Sequence, residues 1–470
     1  MLASSSRAAA NIRWVDTSHN AIAFDMHKCI NCQACVRACK NVAGQSVLKS
    51  VKINEGKKKG VVQTVTGKLL AETNCIGCGQ CTLVCPTQAI HEKDALKQMN
   101  NIFKNKGDRI LVCQIAPAIR INMAEGLGVP VGTVSTGKVV TALKRLGFDY
   151  VFDTNFGADL TIVEEATELL QRLNDPKAVL PMFTSCCPAW VNYVEKSYPQ
   201  WMPHLSTCRS PIGMLSAVIK NVFPKHIGVD PKRIFSVGIM PCTAKKDEAA
   251  REQLMTKSGL HETDLDITSR ELAKMIKAAK INFKELPDTE LDSPYAMATG
   301  GGAIFCATGG VMEAAVRSAY KFATGKELAP IEFVQVRGAE KGIKVGTVDI
   351  NGREIKVAVA QGVKNAMSLI KKIEEGQDDV KGVVFCEVMA CPGGCVGGGG
   401  SPRAKTKAAM NKRLDATYRI DRASKYRTPQ DNTQLQDLYN AYLGGKFGHG
   451  LAHEYFHTHF KPQPIGAKKN

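Results

Sequence analysis

The 470-residue sequence predicts an α/β domain built on mostly parallel sheets, preceded by a small, cysteine-rich α+β domain. Two observations carry this expectation. Between residues 109 and 400, short apolar runs alternate with segments of helical spacing, the rhythm of strand–helix–strand units. Ahead of them, residues 21–95 hold the same cysteine run twice, around a β-rich stretch.

The elements follow in order. Residues 1–20 open with Ser, Ala and Arg, have no acidic residue before Asp16, and lack a long apolar core. That is the composition of an organellar presequence, and the segment is set apart as such. Within 21–95, VLKSVKINEGKKKGVVQTVTGKLLAE reads as a hairpin. Residues 96–108 form a polar linking helix. The main domain, 109–445, opens with the strand RILVCQIAP (109–117). STGKVVTALKRLGF (135–148) is a Ser/Thr-capped helix with apolar residues at Val139, Val140, Leu143 and Leu146. YVFDT (150–154) is a strand, and LTIVEEATELLQRL (160–173) an amphipathic helix. RIFSVGIMPC (233–242) and GVVFCEVMAC (382–391) are buried-type strands that run directly into cysteines. In parallel sheets, sites form at the carboxyl ends of strands. Residues 446–470 read as a loosely packed tail.

Composition narrows the function. Hydrophobic residues make up 44% and charged residues 23%, the balance of a globular domain. No apolar run is long enough to span a bilayer. The net charge of +18 raises nucleic acid or an acidic protein as partner. The basic residues are spread, with short runs such as Lys57-Lys58-Lys59, and no basic helix carries interleaved aromatics. Nucleic-acid binding is therefore set aside, and residues 48–60 are a docking face for an acidic protein. Seventeen cysteines, odd in number and clustered, argue for metal ligation rather than a disulfide framework.

The first cysteine run is Cys29, Cys32, Cys35 and Cys39; the second is Cys75, Cys78, Cys81 and Cys85, followed by Pro86. Two-residue gaps wrap three thiolates around one side of a 4Fe–4S cubane, and a remote cysteine closes it. In two-cluster ferredoxins the fourth cysteine of each run serves the other cluster. Cys29, Cys32, Cys35 and Cys85 are thus assigned to one cluster, and Cys75, Cys78, Cys81 and Cys39 to the other. A tetrahedral zinc site would leave the third cysteine of each run superfluous.

Three later loops concentrate the remaining chemistry: Thr184-Ser185-Cys186-Cys187-Pro188-Ala189-Trp190, Met240-Pro241-Cys242-Thr243-Ala244-Lys245-Lys246, and Glu387-Val388-Met389-Ala390-Cys391-Pro392-Gly393-Gly394-Cys395. Four or five thiols at loop starts can converge on one buried metal centre. Gly393 and Gly394 let backbone approach it, and Lys245 is a donor for an anionic ligand. Cys113, Cys208 and Cys386 read as small buried hydrophobes.

TSCCPAW, MPCTAKK and EVMACPGGC resemble the three signature loops of the iron-only (di-iron) hydrogenases, and the resemblance spans residues 21–460. It implies two mostly parallel sheets flanked by helices, with the active site between them. It implies reversible conversion of protons and electrons to hydrogen, heterolytic at a di-iron unit, running toward evolution from reduced ferredoxin. The cofactors implied are two 4Fe–4S clusters and an H-cluster, a 4Fe–4S cubane joined to a di-iron unit with carbon monoxide, cyanide and azadithiolate ligands. Cys187, Cys242, Cys391 and Cys395 would hold that cubane, with Cys395 also bridging. Cys186 would relay protons rather than ligate. Lys245 would hydrogen-bond a cyanide, and Met240 and Met389 would pack on the di-iron unit. Ala116, Pro117, Ser210 and Phe305 match positions that line the pocket.

The same resemblance implies a proton path through Arg172, Glu168, Ser206, Glu165 and Cys186. Periodicity alone reads Glu165, Glu168 and Arg172 as a solvated helix face. Ile212, Cys306 and Ser401 depart from common family residues. The resemblance also implies maturation proteins, and the chain is expected to be a monomer; the composition of residues 1–15 points to an organelle, the hydrogenosome, with a cytoplasmic bacterial enzyme as the alternative. The alternative function is a hydrogenase-like iron–sulfur assembly scaffold without hydrogen chemistry. His453-Glu454-Tyr455-Phe456-His457 spells the HExxH of zinc proteases, but no typical third ligand follows. It reads as a tail helix packed on the main domain.

Overall fold

The central strands of the main domain are short and almost fully apolar, which is what burial on both faces requires; the edge strand Ile343–Ile350 instead alternates buried and exposed residues over 346–350. The computed structural model describes residues 15–55, 58–328 and 342–463. In the small domain, β1 (Val15–Asp16), β2 (Ile22–Asp25) and β5 (Ile90–Glu92) form an antiparallel sheet in the order β1-β2-β5. β3 (Leu48–Glu55) and β4 (Lys58–Thr64) form the expected hairpin. Residues 1–14 of the presequence assignment lie outside the described residues. Val15–Asp16 does not belong to a leader: it pairs with β2, and the buried Asp16 carboxylate accepts from the Leu70 N–H at 2.7 Å. That folded edge starts the small domain before residue 21.

The main domain holds two four-stranded sheets. β6 (Ile110–Ile115), β7 (Tyr150–Asp153), β9 (Ile234–Met240) and β10 (Leu265–Thr268) lie in the order β10-β9-β6-β7, all parallel. β8 (Met182–Phe183), β11 (Ile343–Ile350), β12 (Arg353–Gln361) and β13 (Val383–Met389) lie in the order β11-β12-β13-β8. Only the β11–β12 pair is antiparallel there. Two mostly parallel sheets with flanking helices are thus observed. The helices Leu96–Lys104, Thr136–Leu146 and Ser269–Ala278 bury apolar stripes in the core of the first sheet. Ser135 precedes the second of these, but its hydroxyl makes no capping bond.

Two expectations need correction. The helix predicted over 160–173 spans Thr154–Asn174 and is buried on nearly every side rather than amphipathic. It packs against the helices Pro211–Asn221 and Gly310–Thr324, so it is central and has no solvated face along most of its length. Glu164, Glu165 and Glu168 are all buried, which corrects the reading from periodicity. The segment read as a loose tail is anchored at Ala452 and over 456–458, which are buried, while many of its other described residues are exposed. Ala452 and Phe456 of the helix Gly450–Phe456 are fully buried beside Leu438, Tyr439 and Met214, because their four-residue spacing presents one apolar face to that core. Residues 464–470 lie outside the described residues.

Candidate metal centre and proton path

The carboxyl ends of both sheets open onto one cavity. β6 leads into Ala116 and Pro117, β9 ends at Met240 ahead of Cys242, β8 leads to Cys186 and Cys187, and β13 ends at Met389 ahead of Cys391 and Cys395. All of these residues line a cavity with about 760 Å³ of space not filled by protein. Lys245 and Phe305 line it too, as do Ile212 and Cys306, two of the departures from family residues. The walls are almost wholly apolar apart from the thiols and the lysine. At Gly394, with φ of 88°, a Cβ would stand 2.7 Å from the Cys306 carbonyl oxygen and 2.8 Å from Met389 Sδ. The cysteine loop can fold around the cavity only with glycine there.

Burial pushes the Cys242 thiol up to about 12, and the nearby Cys187 adds to this. Burial likewise raises Cys391 and Cys395, and both feel the charges of Cys242 and Cys187. Four thiols that repel one another's ionisation in a dry cavity need a cation to hold them as thiolates. This donor set fits an iron–sulfur cubane with a further group enclosed beside it.

Lys245 does not stand free. Its ammonium donates to Glu248 Oε2 at 2.7 Å and to the Cys186 carbonyl at 3.2 Å. Burial opposes its charge, but Glu248 raises its pKa on balance. Ser210, expected in the pocket wall, is turned away from the cavity. Its hydroxyl donates to Glu248 and accepts from the Gly213 N–H at the start of the helix Pro211–Asn221, so its lone pair and proton are both used outside the pocket. Ser401 is also outside; it accepts from Asn122 at 3.0 Å and braces the Pro241 carbonyl.

The acidic line runs from the cavity to the surface. Arg172 donates to Glu168 Oε1 at 2.6 Å, and the Ser206 hydroxyl donates to Glu168 Oε2 at 2.9 Å. Glu165 is one helical turn nearer the cavity and has 0% exposure. Burial and the Glu168 charge push its pKa up to about 8, against the opposing pull of the Ser206 hydroxyl. Neither Glu165 oxygen has a full hydrogen bond among the described residues. The charge of Glu165 in turn adds to the burial that raises the Cys186 thiol. The helix Thr154–Asn174 thus brings Glu165, Glu168 and Arg172 into one line with Ser206 and Cys186.

The small domain divides its cysteines as well. Cys39, Cys75, Cys78 and Cys81 line one internal cavity. After burial, the charges that raise Cys35 to about 12 are foremost those of Cys85 and Cys29, with Cys32 also contributing. Cys32 is exposed, whereas Cys78 is buried and feels Cys242 across the domain boundary. One set therefore lies at the surface and the other against the main cavity. The docking is direct: Thr243 donates to the Gly77 carbonyl at 2.6 Å, and Gln80 donates to the Gly397 carbonyl at 3.1 Å.

Comparison with known proteins decides the family. The family model "Iron only hydrogenase large subunit, C-terminal domain" matches residues 109–399. The chain belongs to the iron-only hydrogenases. The iron hydrogenase small-subunit model matches residues 407–463, and a 4Fe-4S dicluster model matches 28–95 of this hydrogenase. It is 43% identical over 453 residues to iron hydrogenase 1 of Clostridium pasteurianum, covering 95% of this chain and 77% of that one. It is 40% identical over 446 residues to the NADP-reducing hydrogenase subunit HndD of Solidesulfovibrio fructosivorans, covering 94% and 74%. A solved structure of a Chlamydomonas reinhardtii hydrogenase variant superposes with a TM-score of 0.70 at 39% identity, covering 79% of this chain and 99% of that one. A cytosolic Fe–S cluster assembly factor of Danio rerio is more distant, at 28% identity over 398 residues, 83% of this chain and 95% of that one.

Sequence reasoning missed several residues of this hydrogenase. Glu387 is fully buried on β13, accepts from the Gly309 and Met312 N–H groups, and is pushed up to about 7 by burial. Glu248 links Lys245 to Ser210. Cys208 is no mere hydrophobe: its thiol donates to Glu168 Oε2 at 3.6 Å. The HExxH histidines share no protease site. Glu454 pairs with Lys257 at 2.8 Å, while His457 turns inward to Glu164 at 2.9 Å.

Proposed function

We propose that the chain catalyses the reversible reduction of two protons to hydrogen, running toward hydrogen evolution with electrons from a reduced ferredoxin. The observation that carries this reading is the meeting, in one dry cavity, of Cys187, Cys242, Cys391 and Cys395 with Cys186 at the end of a buried acidic line. An H-cluster bound there would supply the redox-active iron and the basic amine at which hydrogen is formed or split heterolytically.

The chain's own residues do the rest. Cys187, Cys242, Cys391 and Cys395, which line one cavity, would hold the cubane. Met240, Met389 and Phe305 exclude water from the site, and Ala116 and Pro117 shape its wall beside β6. Lys245 keeps a positive charge at the wall, where it would balance an anionic ligand such as cyanide. Cys186 passes a proton between the cavity and Glu165. Glu165, with its pKa pushed up to about 8, holds or releases that proton near neutral pH. The Ser206 hydroxyl bridges to Glu168, and Arg172 connects Glu168 to the surface. Cys29, Cys32, Cys35 and Cys85 would hold one cluster near the surface, and Cys39, Cys75, Cys78 and Cys81 a second against the main cavity; such clusters would supply electron transfer.

An acidic ferredoxin would dock by steering toward residues 48–60. Lys57 lies outside the described residues, as do the side chains of Lys58 and Lys59. No helix of the described chain is long and apolar enough to cross a membrane. The reading includes a monomer that receives its di-iron unit from maturation proteins in a hydrogenosome, on the composition of residues 1–14.

The test is production of the chain together with di-iron maturation machinery. Hydrogen evolution from reduced ferredoxin, with infrared bands of iron-bound carbon monoxide and cyanide, is the expected result. A protein with full cubane iron but neither signal would instead be an assembly scaffold.

A further inference from the structure

At the outer end of the acidic line, three donors converge that the proposed reaction does not use together. Cys208 Sγ stands 3.6 Å from Glu168 Oε2 and 3.9 Å from His457 Nδ1. The ligand atoms of these three residues all lie within 4.8 Å of one another. Cys208 is 1% exposed, and Glu168 and His457 are each 8% exposed, so the group sits just beneath the surface. Tetrahedral zinc, with Zn–S near ~2.3 Å and Zn–N or Zn–O near ~2.0 Å, places neighbouring ligand atoms about 3.5 Å apart. The two sulfur distances are within a few tenths of an ångström of that spacing.

His457 is also oriented as a metal ligand is. Its Nε2 meets Glu164 Oε2 at 2.9 Å, which leaves Nδ1 aimed at Cys208 and Thr207. A carboxylate behind a histidine fixes its tautomer and raises its basicity toward a cation. Glu164 is itself held by the Tyr439 hydroxyl and by the Gly448 N–H at 2.8 Å. Nδ1 is hydrogen-bonded to Thr207 Oγ1 at 2.7 Å; with the ring proton on Nε2 toward Glu164, Nδ1 is the acceptor and a rotation of the Thr207 hydroxyl frees its lone pair.

We propose that Glu168, Cys208 and His457 form a binding site for a thiophilic divalent cation of the zinc type, and that its occupation shuts the proton route at Glu168. Binding exchanges the Cys208 S–H bond for a sulfur–metal bond and releases one proton to solvent. The cation then occupies the Glu168 lone pair that would otherwise take and pass a proton. The second half rests on the relay role given to Glu168 above; the first half does not.

Zinc-edge X-ray absorption of the cluster-loaded enzyme after addition of zinc ion separates the two. The expected signal is one zinc per chain with one sulfur near ~2.3 Å and lighter ligands near ~2.0 Å. C208S should lose the sulfur, and H457Q should weaken binding at least tenfold, with the infrared bands of both variants unchanged. Zinc should suppress hydrogen evolution of the parent enzyme reversibly, and H457Q should keep its zinc-free turnover and resist the metal. Zinc without a sulfur neighbour, or bound equally by both variants, overturns the site. Zinc with the sulfur signature but no loss of turnover keeps the site and overturns the relay role of Glu168.

Discussion

Gly399 lies directly on Cys78: a Cβ on Gly399 would overlap the Cys78 carbonyl oxygen and crowd Gly79 Cα. The glycine run that follows the last cysteine loop is therefore the seam between the inner cluster site and the main cavity. G399A should lower the thermal midpoint by the equivalent of about 1–3 kcal/mol, the cost of overpacking a tight contact. It should also slow turnover, because on the proposed function the seam sets the distance electrons would cross. An unchanged midpoint and rate would show that the seam yields at no cost.

The exchanged fourth cysteines make separable predictions. Cys39 lines the cavity of Cys75, Cys78 and Cys81, while Cys85 is felt by Cys35. C39A should damage the inner cluster and C85A the outer one. Iron content and electron paramagnetic resonance of the reduced variants should show different surviving clusters. The same survivor in both would contradict the crossing.

The Ser206 hydroxyl stands between two buried carboxylates and donates to Glu168. S206A should cut turnover by about two orders of magnitude, the range for a lost proton-transfer group. The infrared bands should persist, since Ser206 is not among the residues lining the cavity. A variant with parent-like turnover would mean that protons take another route.

Glu165 makes stability depend on pH in a defined direction. Its pKa rises from 4.5 to about 8 in the folded chain, so the native state keeps a proton that the unfolded state releases. The stabilisation is complete below about pH 4.5 and is lost as pH rises through about 8. E165Q cannot ionise. It should match the parent at the acidic end and exceed it at pH 9 by on the order of 5 kcal/mol, at about 1.36 kcal/mol per pKa unit over the rise from 4.5 to about 8. Thermal midpoints of both proteins across that range measure the difference. A gap that grows toward acid would reverse the sign and reject the assignment.

The small domain is also clamped by an ion pair. Burial works against the Glu92 charge, but the Arg270 hydrogen bond and charge hold its pKa down at about 2. Glu92 also meets Lys274 at 3.7 Å. E92Q should destabilise the chain at pH 7 by about 3 kcal/mol, mostly by leaving Arg270 without its counter-ion. R270Q should cost a similar amount, and the double variant little more than either alone. Full additivity in thermal midpoints would show that the two residues act separately.

The sequence by itself determined the local chemistry. Two-residue gaps mark cluster ligands because they bring thiols together within one loop, whatever the rest of the chain does. Apolar runs ending in Cys242 and Cys391 announce strands with sites at their carboxyl ends, because burial on both faces leaves no polar alternation. The family loops were legible for the same reason: each is contiguous. What only the tertiary structure decided is everything that depends on neighbours distant in the chain. The spacing of Glu165, Glu168 and Arg172 is identical on a solvated helix and on a buried one, and the helices packed around Thr154–Asn174 make it the latter. Ser210 turns from the cavity because its hydroxyl donates to Glu248. Cys208 and His457, 249 residues apart, carry no shared pattern in sequence and meet only because the end of the C-terminal helix folds back onto the Cys208 segment.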